Sequence, residues 1–254
     1  MIAAIIQARM GSTRLPNKTL EDLHGKTLLD RVIDRAAAIP GVDSVVVATT
    51  IEPADDVIEK RCSERNVTVW RGSVDDVLNR FVEAARFVGA DVIVRVTADD
   101  PFKDPWVAGD VLREFLTHRS EVDYVSNTLE PTWPEGLDIE VFSREALEGA
   151  AAEATLRSDH EHVTPFIYNN PQRFRIRQVR HTVDLSSLRW TLDYAEDLAF
   201  ARAVYTRLDR GDIFSMHDIL ALLEREPTLG EINKGFTRNA GYAKSLAEDR
   251  EATP

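Results

Sequence analysis

The residues able to do chemistry fall in a few short stretches. The first, Ile5–Leu20 (IIQARMGSTRLPNKTL), places Arg9, Arg14 and Lys18 in one loop with Gly11, Ser12 and Thr13 among them. Three cations among small residues suit a triphosphate. Gly and Ser let backbone N–H groups approach phosphate oxygens, and Arg can hold two oxygens at once. Lys18 could neutralise charge that builds on an α-phosphate as pyrophosphate leaves. A solvated basic turn has the same composition, and the G-x-x-x-x-G-K-[ST] phosphate loop is absent.

Two acidic stretches could complement that loop. Asp99 and Asp100 sit in the turn Ala98–Pro101, directly after the apolar run Asp91–Thr97, and Asp193 opens the stretch Asp193–Asp197. Phosphoryl transfer to or from a nucleotide needs a divalent metal, and Mg²⁺ takes a few carboxylates together with water and phosphate oxygens. The structural alternatives are that Asp99 caps a turn before Pro101 and that Asp193 caps a helix beginning near Ala195. Asp138 lies in an alternating stretch beside Gly136, where it binds ligand hydroxyls, helps a metal, or faces solvent. His160 and His162, two apart on a helix, would diverge, so they make no two-histidine zinc site. Arg173, Arg175 and Arg177 share one strand face by their period of two, either to attract an acidic ligand or to protect a sheet edge.

These residues need a scaffold. Met1–Ala8, Ser44–Thr49, Val67–Trp70 and Asp91–Thr97 read as strands, and Leu28–Ile39, Asp55–Arg65 and Asp75–Val88 as helices between them. Strand and helix alternate through the first hundred residues, which predicts an α/β fold with a mostly parallel sheet covered on both faces. Ligands of such sheets bind at the C-terminal strand ends, where the basic loop and Asp99 both lie. The second half is less regular. Helices are expected over Trp106–His118, Arg144–Ala154, Asp197–Leu208 and Met216–Glu226, and strands at Asp123–Ser126, Gly136–Phe142 and Arg173–Arg180. One domain is expected over residues 1–235, with a β excursion near 125–185 that could mediate dimerisation and a loosely held polar tail over 236–254.

Composition narrows the function. The chain has 254 residues, 29% charged and 43% hydrophobic, as in globular proteins. A formal net charge of -12 argues against general nucleic-acid binding. The N-terminal apolar run is too short for a signal core or membrane span. The single cysteine, Cys62, forms no disulfide within one chain and points to a reducing, cytoplasmic setting.

The order of residues in the basic loop is more telling. Arg9-x-x-Ser12-x-Arg14-Leu15-Pro16-Asn17-Lys18 resembles the R-x-x-S-x-R-L-P-G-K signature of the sugar-acid cytidylyltransferases, which make CMP-activated Kdo and sialic acids. The closest likeness is to spore-coat polysaccharide cytidylyltransferase-like proteins. Asn17 stands where that family has Gly, and Asn is the non-glycine residue best able to take positive φ. Later blocks follow in order: Arg71–Leu78, Arg95–Pro101 with Ala98 in place of Gly, Pro134–Glu140, Glu161–Pro165 and Leu192–Asp197.

The resemblance implies a three-layer αβα Rossmann-like nucleotidyltransferase fold. It implies metal binding (Mg²⁺) by Asp99 and Asp193, with Asp100 as an alternative to Asp99. Arg9, Arg14 and Lys18 become the catalytic cations. Ala8, Gly11, Ser12, Arg71, Ser73 and Thr97 become nucleotide contacts, with Arg71 and Ser73 near the pyrimidine. Asp138 and His162 face the acceptor, and the assembly is a homodimer. The reaction implied is in-line attack of a small acidic acceptor, a sugar acid or phosphonate, on the α-phosphorus of CTP. Two rivals are a nucleotide-sugar-dependent glycosyltransferase, which a D-x-D motif would favour, and a nucleotide-binding protein without catalysis. Asp99-Asp100 are adjacent and lack the D-x-D spacing.

Overall fold

The structure, a computed structural model, describes residues 1–238 and 240–252. Seven strands form one sheet: β1 (Ile2–Gln7), β2 (Ser44–Thr50), β3 (Thr68–Gly72), β4 (Val92–Thr97), β5 (Tyr124–Ser126), β6 (Glu140–Ser143) and β7 (Ile176–Gln178). Their spatial order is β3-β2-β1-β4-β6-β5-β7, and only β6 runs against the others. Helices α1 (Leu28–Ala37), α2 (Asp56–Glu64), α3 (Val77–Val88), α4 (Pro105–Thr117), α5 (Arg144–Glu153), α6 (Arg157–His162), α7 (Pro165–Asn169), α8 (Ala195–Leu208), α9 (Met216–Arg225) and α10 (Ala240–Ala252) complete it. This is the mostly parallel, Rossmann-like nucleotidyltransferase architecture.

The sheet divides two cores because successive strand residues face opposite ways. Ala4 and Ile6 of β1 join Val94 and Val96 of β4 against α1, α4 and α8. Ala3, Ile5 and Ile93 join Phe81 of α3 and Leu147 of α5 on the other face. Ile5 and Ile6 are fully buried, and each contributes roughly 1.5–3 kcal/mol. With both faces covered, these central strands read as continuous apolar runs rather than alternating ones.

Local signals set the helix ends. Thr27 and Asp30 form a reciprocal capping box at α1. The Asp76 carboxylate accepts from Asn79 N at the start of α3, and Gly89, at φ 68°, ends it. Register then sets the site. Gln7 pairs with Thr97 across β1 and β4, so the loops that follow these strands leave the sheet side by side.

The region near 125–185 does not stand apart. It supplies β5, β6 and β7 to the same sheet, together with α5, α6 and α7. The strand expected over Gly136–Phe142 is confined to Glu140–Ser143, because residues before it turn away to pair elsewhere. The segment expected as a loosely held tail instead forms α10, which packs against α6. Residues 239, 253 and 254 of that segment lie outside the described residues. No helix among the described residues is long and apolar enough to cross a membrane.

Candidate active site

A cleft of about 910 Å³ opens over the C-terminal ends of β1 and β4, bounded by the basic loop, α3, α6, α7 and α10. Its floor begins with the turn after β1. Ala8 N donates to Ala48 O at 3.2 Å, and Met10 N donates to Asp55 Oδ1 at 2.7 Å. The other Asp55 oxygen accepts from the backbone N–H and hydroxyl of Thr50. Asp55, which sequence reasoning passed over, thus ties the basic loop to the end of β2. Thr19 Oγ1 donates to Arg9 O at 2.9 Å and closes the loop from the other side. Between them Asn17 adopts φ 61° and ψ 13°, the left-handed turn that its type allows. It delivers Lys18 inward.

Lys18 is the centre of the site. Its Nζ donates to Asp99 Oδ2 at 3.0 Å, to Asp193 Oδ1 at 2.8 Å and to Leu192 O at 2.9 Å. Arg14 Nη2 lies 2.7 Å from the same Asp193 oxygen, and its guanidinium sits 5.4 Å over the Tyr194 ring. Burial opposes the Lys18 charge, but Asp99 and Asp193 outweigh it and raise the ammonium above its ordinary value. Burial likewise opposes ionisation of Asp99, and Lys18 overcomes it and holds that carboxyl low. Asp99 is therefore ionised at neutral pH.

Asp193 reaches Asp99 across 94 residues through backbone pairing. Leu192 N donates to Asp99 O at 2.8 Å. Upstream, Glu135 holds the stretch before Asp193 against Pro134–Leu137: Trp190 N donates to Glu135 O at 2.7 Å, and Glu135 N donates to Leu188 O at 2.9 Å. Gly136, at φ 102°, is required there, since a Cβ would fall 2.7 Å from Trp190 C. Asp193 is not the cap of α8. Tyr194 is the N-cap, and Asp197 at the third helical position reaches back, its Oδ2 accepting from Asp193 N at 2.9 Å and Tyr194 N at 3.0 Å. Arg189 bridges Asp197 and Glu135 at 2.9 Å each, which locks the Asp193 turn from below.

Asp100 is turned away from Lys18. It accepts from Thr97 Oγ1 at 2.7 Å and from Lys103 Nζ at 2.8 Å, within a pair sealed from solvent. Burial pushes its carboxyl up against the pull of Lys103, and Asp99 and Asp138 push the same way. Lys103 also donates to Asp138 O, so this pair supports the floor beneath Asp99.

The far end of the cleft is built on β4, β6 and α6. Arg95 pairs with Glu140, whose other oxygen accepts from Tyr124 Oη at 2.6 Å and from Thr164 Oγ1. His162 Nε2 lies 3.0 Å from Ser245 Oγ of α10, and its ring meets Tyr242 edge-on at 5.1 Å. Burial, with Arg95 adding to it, lowers the imidazole and leaves it neutral at pH 7. Asp138 pairs with Arg238 just ahead of α10, and burial raises its carboxyl despite that partner.

The cleft therefore gathers Ala8, Arg9, Gly11, Ser12, Arg14, Lys18, Thr97, Asp99, Asp138, His162 and Asp193 from the sequence expectations. Arg71 and Ser73 lie outside its lining. The Arg71 guanidinium donates to Thr50 O at 2.8 Å and Glu52 O at 2.9 Å and pairs with Asp56 and Glu59. Arg173, Arg175 and Arg177 are paired with Glu153, Asp123 and Glu114, also away from the cleft. Cys62 is buried, and burial pushes its thiol up to about 11, which is no setting for a nucleophile. Arg80, Arg95, Glu140 and α10 carry no assigned site role in the sequence, although Arg95 and Glu140 are the terminal residues of two of the matched blocks.

Magnesium can be tested against this geometry. Asp99 and Asp193 each place an oxygen within 3.0 Å of the Lys18 ammonium, so both are aimed at one cation-sized volume. Two carboxylates plus phosphate oxygens and water match Mg²⁺, which seldom has an all-protein cage. Among the described residues no cluster of three or more His, Cys, Asp or Glu forms such a cage. The residues present fit the ion.

Residues 3–224 match the family model described as cytidylyltransferase. Among curated relatives, the spore coat polysaccharide biosynthesis protein SpsF of Bacillus subtilis is 33% identical over 89% of this chain and 95% of its own. A solved cytidylyltransferase from Leptospira borgpetersenii superposes with a TM-score of 0.87 at 29% identity, covering 93% of this chain and 99% of that one. A CMP:2-keto-3-deoxy-manno-octonic acid synthetase solved with CTP superposes with a TM-score of 0.64 at 18% identity, covering 81% of this chain and 98% of that one. At that identity it shows the shared fold alone.

Proposed function

The chain belongs to the cytidylyltransferase family and is a nucleotidyltransferase, and from that premise we propose that it transfers CMP from CTP to a small acidic acceptor and releases pyrophosphate. The acceptor class is a sugar acid or a phosphonate. The reading includes a polysaccharide-biosynthesis role like that in the name of the Bacillus subtilis relative, and a cytoplasmic homodimer.

One observation carries the mechanism: Lys18 joins Asp99 and Asp193, which arrive from opposite halves of the chain, beside Arg14. Arg9, Arg14 and Lys18 hold the triphosphate, while Ala8, Gly11, Ser12 and Thr97 pack the nucleotide against the ends of β1 and β4. Asp99 and Asp193 would hold Mg²⁺, which would supply charge neutralisation on the triphosphate. Lys18 and Arg14, positioned by these carboxylates, donate to phosphate oxygens. Lys18 meets the charge that develops as the bond to pyrophosphate breaks, and its raised proton affinity keeps it a cation throughout. Asp138 and neutral His162 orient the acceptor, whose oxygen attacks in line. No covalent intermediate is needed, and positioning with electrostatics provides the rate. Arg71 and Ser73, engaged outside the cleft lining, serve the nucleotide end by holding its walls.

The test is pyrophosphate release on mixing the protein with CTP, Mg²⁺ and a panel of sugar acids and phosphonates. Release above the acceptor-free control with at least one acceptor is expected. Absence of both release and CTP binding overturns the reading.

A further inference from the structure

Three residues of the Arg71–Ser73 segment lie off the cleft, yet two of them converge on one side chain that lines it. A Cβ at Gly72 would stand 3.0 Å from Arg80 Cγ and 3.4 Å from Arg80 Cβ, so the glycine leaves room for the arginine stem. Ser73 O accepts from Arg80 Nη1 at 2.6 Å and aims the guanidinium. Arg80 projects from the first turn of α3 into the lining of the cleft, near Arg9, and is only 2% exposed.

This guanidinium is under-partnered. Ser73 O is its only hydrogen-bond acceptor among the described residues, and its Nε is buried with none. Asp55 and Asp76 are the acids close enough to influence it, and both are engaged. Asp55 serves Met10 and Thr50, and Asp76 serves Asn79 and His160. Arg9 repels it. Burial, then Arg9, draw its pKa from 12.5 down to about 10, so it keeps its charge at neutral pH at a cost in stability. An uncompensated cation held in a cleft wall beside a second free cation is complementary to an anion.

We propose that Arg80, seated by Gly72 and Ser73, forms with Arg9 an oxyanion-binding subsite of the cleft, for the phosphates of the nucleotide or the carboxylate of an acidic acceptor. The inference rests on the transferase reading above and names which further side chain contacts its charged ligands. It also explains the Arg-Gly-Ser motif as the seat of Arg80 rather than as a direct ligand contact.

The experiment is calorimetric titration of wild type, R80M and R80K with CTP in Mg²⁺, with inorganic pyrophosphate, and with a 2-keto-3-deoxy sugar acid, alongside thermal melts of each protein. R80M should weaken at least one ligand on the order of 30-fold, the worth of a charge-assisted hydrogen bond. Its melting temperature should hold or rise, since an unpaired buried cation is gone. R80K should fall between, keeping charge but losing the second N–H. Weaker pyrophosphate assigns the subsite to phosphates, and weaker sugar acid assigns it to the acceptor. Unchanged affinity for all three ligands, with or without a lower melting temperature, overturns the subsite and leaves the transferase reading standing. A wild type that binds neither CTP nor pyrophosphate sinks both.

Discussion

Within the cleft Lys18 and Arg14 meet Asp99 and Asp193 at 2.7–3.0 Å; elsewhere in its lining, Arg9 and Arg80 have no carboxylate partner among the described residues. The first cluster is close to neutral before any ligand arrives. Its cations are held in place by the two carboxylates, so its geometry is set in advance. In the second, buried Arg80 keeps its charge against desolvation beside exposed Arg9, and on the proposed reading an anion relieves it. On the reading proposed above, the difference divides the tasks: the paired cluster would act on the reacting phosphate, and the unpaired cations would draw anionic ligands in. Their cost in stability is the ordinary one for a binding surface held open.

Four experiments break or sharpen that division. The largest effect belongs to Lys18→Ala, which should reduce turnover on the order of 10³-fold with the fold retained, as removal of one charge-stabilising donor does elsewhere. Circular dichroism with pyrophosphate release checks it, and a near-wild-type rate would erase the paired cluster's role. Asp193→Asn comes next, at about 10²-fold in turnover with a raised Mg²⁺ requirement and nearly unchanged affinity for pyrophosphate alone. A Mg²⁺ titration of the rate reads it out.

Third is pH. Asp99 is held below its ordinary 3.8, so its contribution to stability is present above that value and fades as pH falls through the lower folded value. Lys18 is raised above 10.5, so its contribution is complete below that value and is lost only as pH climbs through the higher one. The melting-temperature difference between wild type and Asp99→Asn should therefore stay flat from about pH 5 to 9 and shrink under acid. A difference that grows below pH 4 would contradict the pairing. The smallest effect is Asn17→Gly. Relief of a positive φ and a more flexible unfolded chain nearly cancel, so stability should move by less than about 1 kcal/mol and turnover should hold.

How far the sequence was legible follows from what each signal depends on. The strands Ile2–Gln7 and Val92–Thr97 and the helices α1, α3 and α4 were readable because burial on two faces, capping acids and breakers act within a few residues. α10 was read as a tail because its residues are polar and carry no apolar stripe, and its order comes from packing on α6. Arg71 and Arg80 show the same limit at the site. The motif around Arg71 was visible, but the guanidinium that lines the cleft belongs to Arg80, nine residues on, and no local pattern distinguishes the two.

By itself the sequence determined the kinds of chemistry present: a cationic loop with a left-handed turn at Asn17, and acids at strand and helix ends. It also determined the alternation that builds a covered parallel sheet. Only the tertiary structure decided which charges meet. Asp193 joins Asp99 because Leu192 N finds Asp99 O and because Gly136 lets two backbones approach. Asp100, one residue from Asp99, is drawn off to Lys103. Charge pairing depends on distances of a few ångströms between segments remote in the chain, and those distances are set by packing, which residue order specifies only through the whole fold.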